Sequence, residues 1–357
     1  MMETWLSGAA SPTNAAAVLV TVALVEGSGP REAGAKMLVG ASQVWDTIGG
    51  GHLELRAIEL ARGMLADVTA APRIERFALG PSLGQCCGGV VHLAFERVEG
   101  DLRAVLDALH RRRDQDSWRV SAIDGAPASA LFDAAGKNVA GADLAALSTL
   151  SASLALIRER AAHVMQDAAG RRWLVDPCLA PRAHLVLFGA GHVGAAIVRV
   201  LAGLPCNMTW VDEREDMFPA TVPENVRIEA SDTPEALVAA APAGASFLVM
   251  THSHALDQRL SEAIMARADV GWFGLIGSQT KRKQFEHRLR ARGADAGRVA
   301  AMVCPIGLPG IANKAPAAIA IAVCAQLLMV WEAAAAPATA PLRLVASGGA
   351  STVTHQF

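Results

Sequence analysis

The sequence predicts an α/β protein. Its expected parts are an N-terminal mixed α/β domain over residues 12–180, a Rossmann-like parallel-sheet domain over 181–333, and a disordered tail over 334–357. Three observations predict this. The apolar run His184-Leu185-Val186-Leu187-Phe188 passes directly into Gly189-Ala190-Gly191-His192-Val193-Gly194 and then into a helical pattern. From there to Ile276 strand-like and helix-like segments alternate, as in a parallel sheet with crossover helices. Upstream, short apolar runs are separated by glycine-rich turns, with a helix-period segment among them.

In chain order, residues 18–25 are β-branched and apolar and stop at the turn signal Glu26-Gly27-Ser28-Gly29-Pro30. Residues 36–39 and 44–48 read as a hairpin about Gly40-Ala41-Ser42. Gly49-Gly50-Gly51 opens a helix over 52–65, with Leu53, Ala57, Leu60 and Ala61 on one face. Residues 73–79 and 90–96 are strand-like and enclose a second glycine-rich loop from Gly80 to Gly89. Residues 100–181 are less regular: a helix near 102–112, short strands and a polar stretch around 167–172. They read as the rest of the first domain and a connection.

In the second domain the helix continues through 195–204, and the strand 208–211 ends at Asp212. Residues 234–241 read as a helix, and 247–250 and 270–276 as strands. Residues 315–331 carry no charge but are alanine-rich, contain Pro316 and Gln326, and fall short of the ~20 residues a spanning helix needs. They read as a packed internal helix with Pro316 in its first turn. From Ala333 the Ala/Pro/Ser/Gly composition marks the tail.

Composition narrows the function. With 357 residues, 52% of them apolar, the chain can bury two cores. The 32 basic residues nearly balance 34 acidic ones, which gives no electrostatic footprint for nucleic acid and no polybasic membrane patch. His110-Arg111-Arg112-Arg113 reads as a solvated helix end. The N-terminus has no cationic region ahead of its apolar stretch, so it does not read as a signal peptide. Six cysteines in a chain this long, two of them adjacent, do not suggest a disulfide scaffold. The expectation is a soluble, cytoplasmic protein, assembled as a homodimer.

Gly189-x-Gly191-x-x-Gly194 follows a strand and opens a helix, and the next strand ends at an acid. The three glycines serve the tight turn, the approach of backbone to phosphate, and helix–strand packing. The helix N-terminus offers N–H groups to an anion, so NAD(P) or another nucleotide is a candidate ligand, although fold does not fix function. Asp212 either accepts from a ribose hydroxyl or caps the next turn; Arg214 favours a 2′-phosphate or another anion. His192 is either a surface side chain or a donor to an anionic ligand. Thr251-His252-Ser253-His254 follows a strand at the carboxyl edge of the sheet, and in extended backbone its two histidines point the same way. A pair bonding a ligand or the backbone is favoured over a metal site, for which only Asp257 offers a third group. Thr280-Lys281-Arg282-Lys283 marks a second anion pocket if Ser278 or Thr280 caps a helix.

In the first domain the pointed feature is Gln85-Cys86-Cys87-Gly88-Gly89, two thiols flanked by glycine. Soft thiolates suit copper, zinc and sulfur-rich metal centres, so Cys86 and Cys87 are candidate metal ligands; the alternative is two small buried hydrophobes. Gly49-Gly50-Gly51-His52 repeats the anion-site logic before a helix. Cys304 stands beside a turn, and Cys178, Cys206 and Cys324 in apolar surroundings; all four read as structural.

Taken together, these residues resemble the XdhC/CoxI family of molybdenum-hydroxylase accessory proteins. The resemblance runs from about Val20 to Leu328. It is carried by Gly27-Ser28-Gly29-Pro30-Arg31 through Gly34-Ala35-Lys36-Met37, Ile48-Gly49-Gly50-Gly51-His52-Leu53-Glu54 and the Leu79–Gly89 loop. In the second domain it is carried by the glycine loop, Trp210-Val211-Asp212-Glu213-Arg214, Thr251-His252-Ser253-His254, Gly274-Leu275-Ile276-Gly277-Ser278 and Cys304-Pro305-Ile306-Gly307-Leu308-Pro309-Gly310. Most of these are loops, where shared sequence speaks of function more than packing.

The resemblance implies an accessory protein, not an enzyme, that binds molybdenum cofactor (Mo-molybdopterin) and supports its sulfuration. It implies delivery to the molybdenum-binding subunit of xanthine dehydrogenase, with sulfur from a cysteine desulfurase, and places the family's cysteine motif on Cys86 and Cys87. The cofactor-binding set is then Gly49, Gly50, Gly51, Gln85, Cys86, Cys87, Gly88, Gly189, Gly191, His192, Gly194, Asp212, Arg214, His252 and His254. The main rival is an NAD(P)-dependent oxidoreductase using the Rossmann domain. The absence of tyrosine removes the Tyr/Lys proton relay of many short-chain dehydrogenases, and no acid–base pair stands out. A metal-dependent hydrolase using His252, His254 and Asp257 is a weaker rival.

Overall fold

The computed structural model describes residues 4–10, 16–80, 88–143, 160–167 and 169–335, which divide into two compact units, Met1–Arg182 and Ala183–Phe357. Residues 336–357, most of the expected tail, lie outside the described residues.

The first unit opens with α1 (Thr4–Ala10), β1 (Ala17–Glu26), β2 (Lys36–Gly40), β3 (Val44–Asp46), α2 (Gly51–Ala66), β4 (Arg73–Ala78) and β5 (Val90–Arg97). Their strands form an antiparallel sheet in the order β3-β2-β1-β5-β4. The continuous apolar run of β1 is explained by burial of both faces. Val18, Val20 and Val22 pack against Leu53, Ala57 and Ala61 of α2. Ala17 and Leu19 pack toward Trp5 of α1 and toward Leu102, Val105 and Leu106 of α3 (Gly100–Arg111). Gly50, the N-cap of α2, has no side chain to cap it, and packing of the buried face contributes about 1.5–3 kcal/mol for each large side chain.

The described residues of 100–181, expected to hold a helix and short strands, form a five-stranded antiparallel sheet from strands of that region. Its strands β6 (Ser117–Ala122), β7 (Ser129–Asp133), β8 (Asn138–Gly141), β9 (His163–Gln166) and β10 (Arg172–Cys178) lie in the order β8-β7-β6-β10-β9. Strand β6 alternates polar and apolar residues, yet Ser117, Arg119 and Ser121 are buried as fully as Trp118, Val120 and Ala122, so the polar face that alternation assigns to solvent lies inside. Arg119 is fully buried; its Nη1 donates to both oxygens of Glu96 at 2.9 and 2.7 Å, and its Nε to Asp176 at 3.0 Å. Lys36 lies 3.0 Å from the other Asp176 oxygen. Two cations and two anions thus balance between the two sheets. Burial opposes the charge of Arg119, but Glu96 and Asp176 outweigh it and push its pKa up.

The second unit contains β11 (Ala183–Phe188), α4 (His192–Leu201), β12 (Cys206–Asp212), β13 (Val226–Ala230), α5 (Glu235–Ala240), β14 (Ser246–Val249), α6 (His254–Ala266), β15 (Trp272–Leu275), α7 (Gln279–Ala291), α8 (Ala296–Ala301) and α9 (Pro316–Ala335). Its five strands are parallel, in the order β13-β12-β11-β14-β15. Strand β13 was not legible in the sequence: it is an edge strand with one of its five residues buried, and among the described residues it pairs with β12 alone. Leu185 and Leu187 face Ile197 of α4 and Val323 of α9; Val186 and Phe188 face Leu260 of α6 and Phe285 of α7. Helix α9 is long and apolar enough to cross a membrane by length and composition. One face of it packs on the sheet, while Ile321 and Met329 on the rest of the helix are exposed. Ala320, Val323, Cys324 and Leu327 are buried, Gln326 accepts from Gly307 N at 3.0 Å, and Trp331 Nε1 donates to Ser246 at 3.0 Å.

Candidate functional site

The sheet order makes β11 the switch point, since the chain leaves it to β12 on one side and later returns to β14 on the other. Ligands of open α/β sheets bind outside the carboxyl ends of such strands. A narrow crevice of about 10 Å³, room for about one water, lies there, lined by Gly189, Asp212, Glu213, Pro234, Thr251 and His252 among others.

The glycine loop divides its tasks. Gly189 has φ 119°, and a Cβ on it would lie 2.4 Å from the Met250 carbonyl oxygen. A Cβ on Gly194 would lie 2.2 Å from the Gly189 oxygen, so this glycine lets α4 pack on the strand end. Gly191 differs: its backbone is ordinary (φ −73°, ψ −175°), and a Cβ there would meet nothing within 4 Å. It caps α4 without a side-chain bond and leaves the approach to the helix open. His192, the exposed first residue of α4, stands beside it.

Asp212 is committed within the protein. Its Oδ2 accepts from Ala190 N at 2.7 Å and Arg214 Nη2 at 3.0 Å; its Oδ1 accepts from Arg214 N at 3.1 Å and Nε at 2.9 Å. Four bonds use the whole accepting capacity of a carboxylate. Burial would raise its pKa, but the Arg214 side chain and the two amides outweigh it and hold the carboxyl below the usual range. Of the sequence alternatives for Asp212, the structure contains the turn cap, as the bond from Arg214 N.

The two histidines part. Ser253 caps α6, its Oγ accepting from Leu256 N at 3.3 Å, so the extended backbone stops and His254 becomes the exposed first residue of a helix. His252 lines the crevice, with its Nε2 3.3 Å from Glu213 Oε1. Asp257 turns to Thr251 and Lys281, with both its oxygens engaged. Among the described residues, no group of three or more His, Cys, Asp and Glu could hold a metal ion. Ser278 does cap a helix, accepting from Lys281 N at 3.3 Å.

In the first unit, the glycine-rich segments meet at one end of the first sheet. A Cβ on Gly89 would lie 2.4 Å from Ser28 O, and one on Gly49 would lie 2.5 Å from Pro30 Cβ. Gly88 is exposed. Gln85, Cys86 and Cys87 lie outside the described residues. Just ahead of the α2 N-terminus, Glu54 accepts from Ile48 N at 3.1 Å, Gly50 N at 3.2 Å and the Thr47 hydroxyl. That role was missed, although an acid in the first turn after a glycine run is a capping signal. Three of the other thiols are held as weak nucleophiles, since burial pushes Cys206 to about 11 and Cys324 to about 12, and raises Cys304.

Comparison with known proteins decides the family. Residues 185–327 match the XdhC Rossmann domain, and residues 12–78 match the XdhC and CoxI family, together more than half of the chain. The chain belongs to the XdhC and CoxI family. One curated relative of this XdhC/CoxI chain is the uncharacterized protein YqeB of Escherichia coli (strain K12), 28% identical over 176 residues. The match takes in 49% of this chain and 32% of that protein, so the chain spans about a third of the relative's length. A crystal structure described as a xanthine dehydrogenase from Bacillus halodurans superposes with a TM-score of 0.73, covering 94% of this chain and 97% of that one. At 20% identity this likeness shows the fold.

Proposed function

We propose that this protein is a maturation factor for xanthine dehydrogenase: it binds molybdenum cofactor, supports its sulfuration and delivers it to the molybdenum-binding subunit. The observation that carries the reading is the family match in chain order over both units. The cargo bears a phosphate, a pterin and a labile metal–sulfur group. The second unit suits the phosphate, with an uncapped helix N-terminus and open space at Gly191. Thiolates of Cys86 and Cys87 suit the metal end. A cysteine desulfurase is the proposed sulfur donor, and a cytoplasmic homodimer the proposed working form.

The glycine fingerprint also supports a nicotinamide-dependent oxidoreductase. Against it, Asp212 has no accepting capacity left for a ribose hydroxyl while bound to Arg214 and Ala190. This arrangement favours an anionic group over a ribose diol.

Co-expression of the full chain with molybdenum-cofactor synthesis, followed by assay of bound molybdenum and pterin, tests the reading. Loaded protein is expected to restore cofactor-free xanthine dehydrogenase in proportion to its cofactor content. Absence of bound molybdenum and pterin, or steady-state NAD(P)-dependent reduction of a small substrate by the chain alone, would sink it.

A further inference from the structure

The carboxyl ends of β14 and β15 are joined through one buried carboxylate. Asp257, in the first turn of α6, is 1% exposed. Its Oδ1 accepts from the backbone N of Thr251 at 3.1 Å and from the Thr251 hydroxyl at 2.7 Å. Its Oδ2 accepts from Lys281 Nζ at 2.6 Å, and Nζ also donates to the carbonyl of Ile276 at 2.8 Å. Lys281 folds across Gly277, where a Cβ would lie 2.5 Å from its Cδ, so glycine there clears the path. Thr251 Oγ1, having donated to Asp257, accepts from Ser253 N at 3.2 Å. His252 therefore sits between two residues that are each bonded in place.

A buried ion pair is not an efficient stabiliser, since an apolar pair of similar volume holds a core as well. An apolar pair could not, however, grip a main-chain N–H and a hydroxyl at the rim of a crevice. We propose that Asp257 is a positioning residue for that crevice. One oxygen sets the Thr251–His252 loop, and the other, through Lys281, sets the end of β15. The rim is thereby formed before ligand arrives, so binding does not have to order it. Only the ligand rests on the maturation-factor reading above; the positioning itself is a property of the free protein.

The test uses the full chain with carbon-13-labelled histidine rings, the His252 signal being assigned with His252→Gln. Spectra without ligand are recorded for the wild type, Asp257→Ala, Thr251→Val and Thr251→Ser, followed by molybdenum and pterin contents after co-expression with cofactor synthesis. Asp257→Ala is expected to displace the His252 signal and to lower cofactor content about tenfold, the loss typical of removing a group that orients a ligand-binding side chain. Thr251→Val moves the same signal, and Thr251→Ser restores both readouts. Should Asp257→Ala fail to fold, Thr251→Val carries the test, because it leaves the Asp257–Lys281 pair intact. An unmoved His252 signal in either folded variant overturns the positioning role. A displaced signal in a protein that never loads cofactor supports the positioning and overturns the cofactor reading alone.

Discussion

Asp212 accepts from the Ala190 amide at 2.7 Å, which bonds the acid at the end of β12 into the glycine-rich loop itself. Ala190 is buried, so the amide has no water to turn to if the carboxylate is removed. Asp212→Ala should cost about 1–3 kcal/mol through that orphaned donor. Arg214→Ala, whose side chain is 37% exposed, should cost no more than about 1 kcal/mol. Urea denaturation of the two variants checks the order; equal losses would mean that the Arg214 pair, not the amide, holds the loop.

The glycines of the loop should separate stability from binding. Gly194→Ala forces a Cβ against backbone, at 2.2 Å from the Gly189 oxygen, and should destabilise by roughly 1–3 kcal/mol. Gly191→Val enters open space on ordinary backbone, so its stability should stay within about 0.5 kcal/mol of the wild type while bound molybdenum and pterin fall. A Gly191→Val protein that is stable and fully loaded would make this loop purely structural.

The ion cluster between the sheets of the first unit should be sensitive to both mutation and acid. Arg119→Met strands Glu96 and Asp176 in the interior and should cost roughly 3–5 kcal/mol. Burial pushes the Asp176 carboxyl up, but Lys36 and Arg119 outweigh it and hold it below the usual range. A depressed folded pKa contributes stability that is complete above the unfolded value, about 3.9, and is lost as pH falls through the folded value. Urea midpoints measured from neutral pH down to acid should therefore fall in the wild type and fall less steeply in Asp176→Asn.

The thiols should sort by accessibility. With pKa values pushed to about 11 and about 12, Cys206 and Cys324 should resist iodoacetamide at pH 8 in the native protein. Their replacement by Ala should leave cofactor content unchanged. Replacing Cys86 and Cys87 together by Ser should abolish it while the fold persists. Peptide mapping after alkylation and metal analysis check the two halves, and a fully loaded double variant would remove the thiolate role.

Much of the molecule was legible locally. The β11–glycine loop–α4 passage and the alternation that makes the second sheet parallel lie within short stretches of chain, where period and turn chemistry suffice. The short strands of the first unit's second sheet were expected, but their pairing into one sheet was not legible: Ser117, Arg119 and Ser121 alternate with apolar residues along β6, a pattern that assigns them to solvent, yet all three are buried. Nor could the site be read to its atoms. Glycines mark where backbone must come close, but two acids given candidate ligand roles make their bonds inside the fold: Asp212 closes on Ala190 and Arg214, and Asp257 bridges Thr251 and Lys281. Lys281 lies 24 positions from Asp257 in sequence. A residue type states only that a charge is present. Which partner satisfies it depends on which strand ends the fold brings within hydrogen-bonding reach, because a buried charge takes whatever opposite charge or donor packing delivers to it.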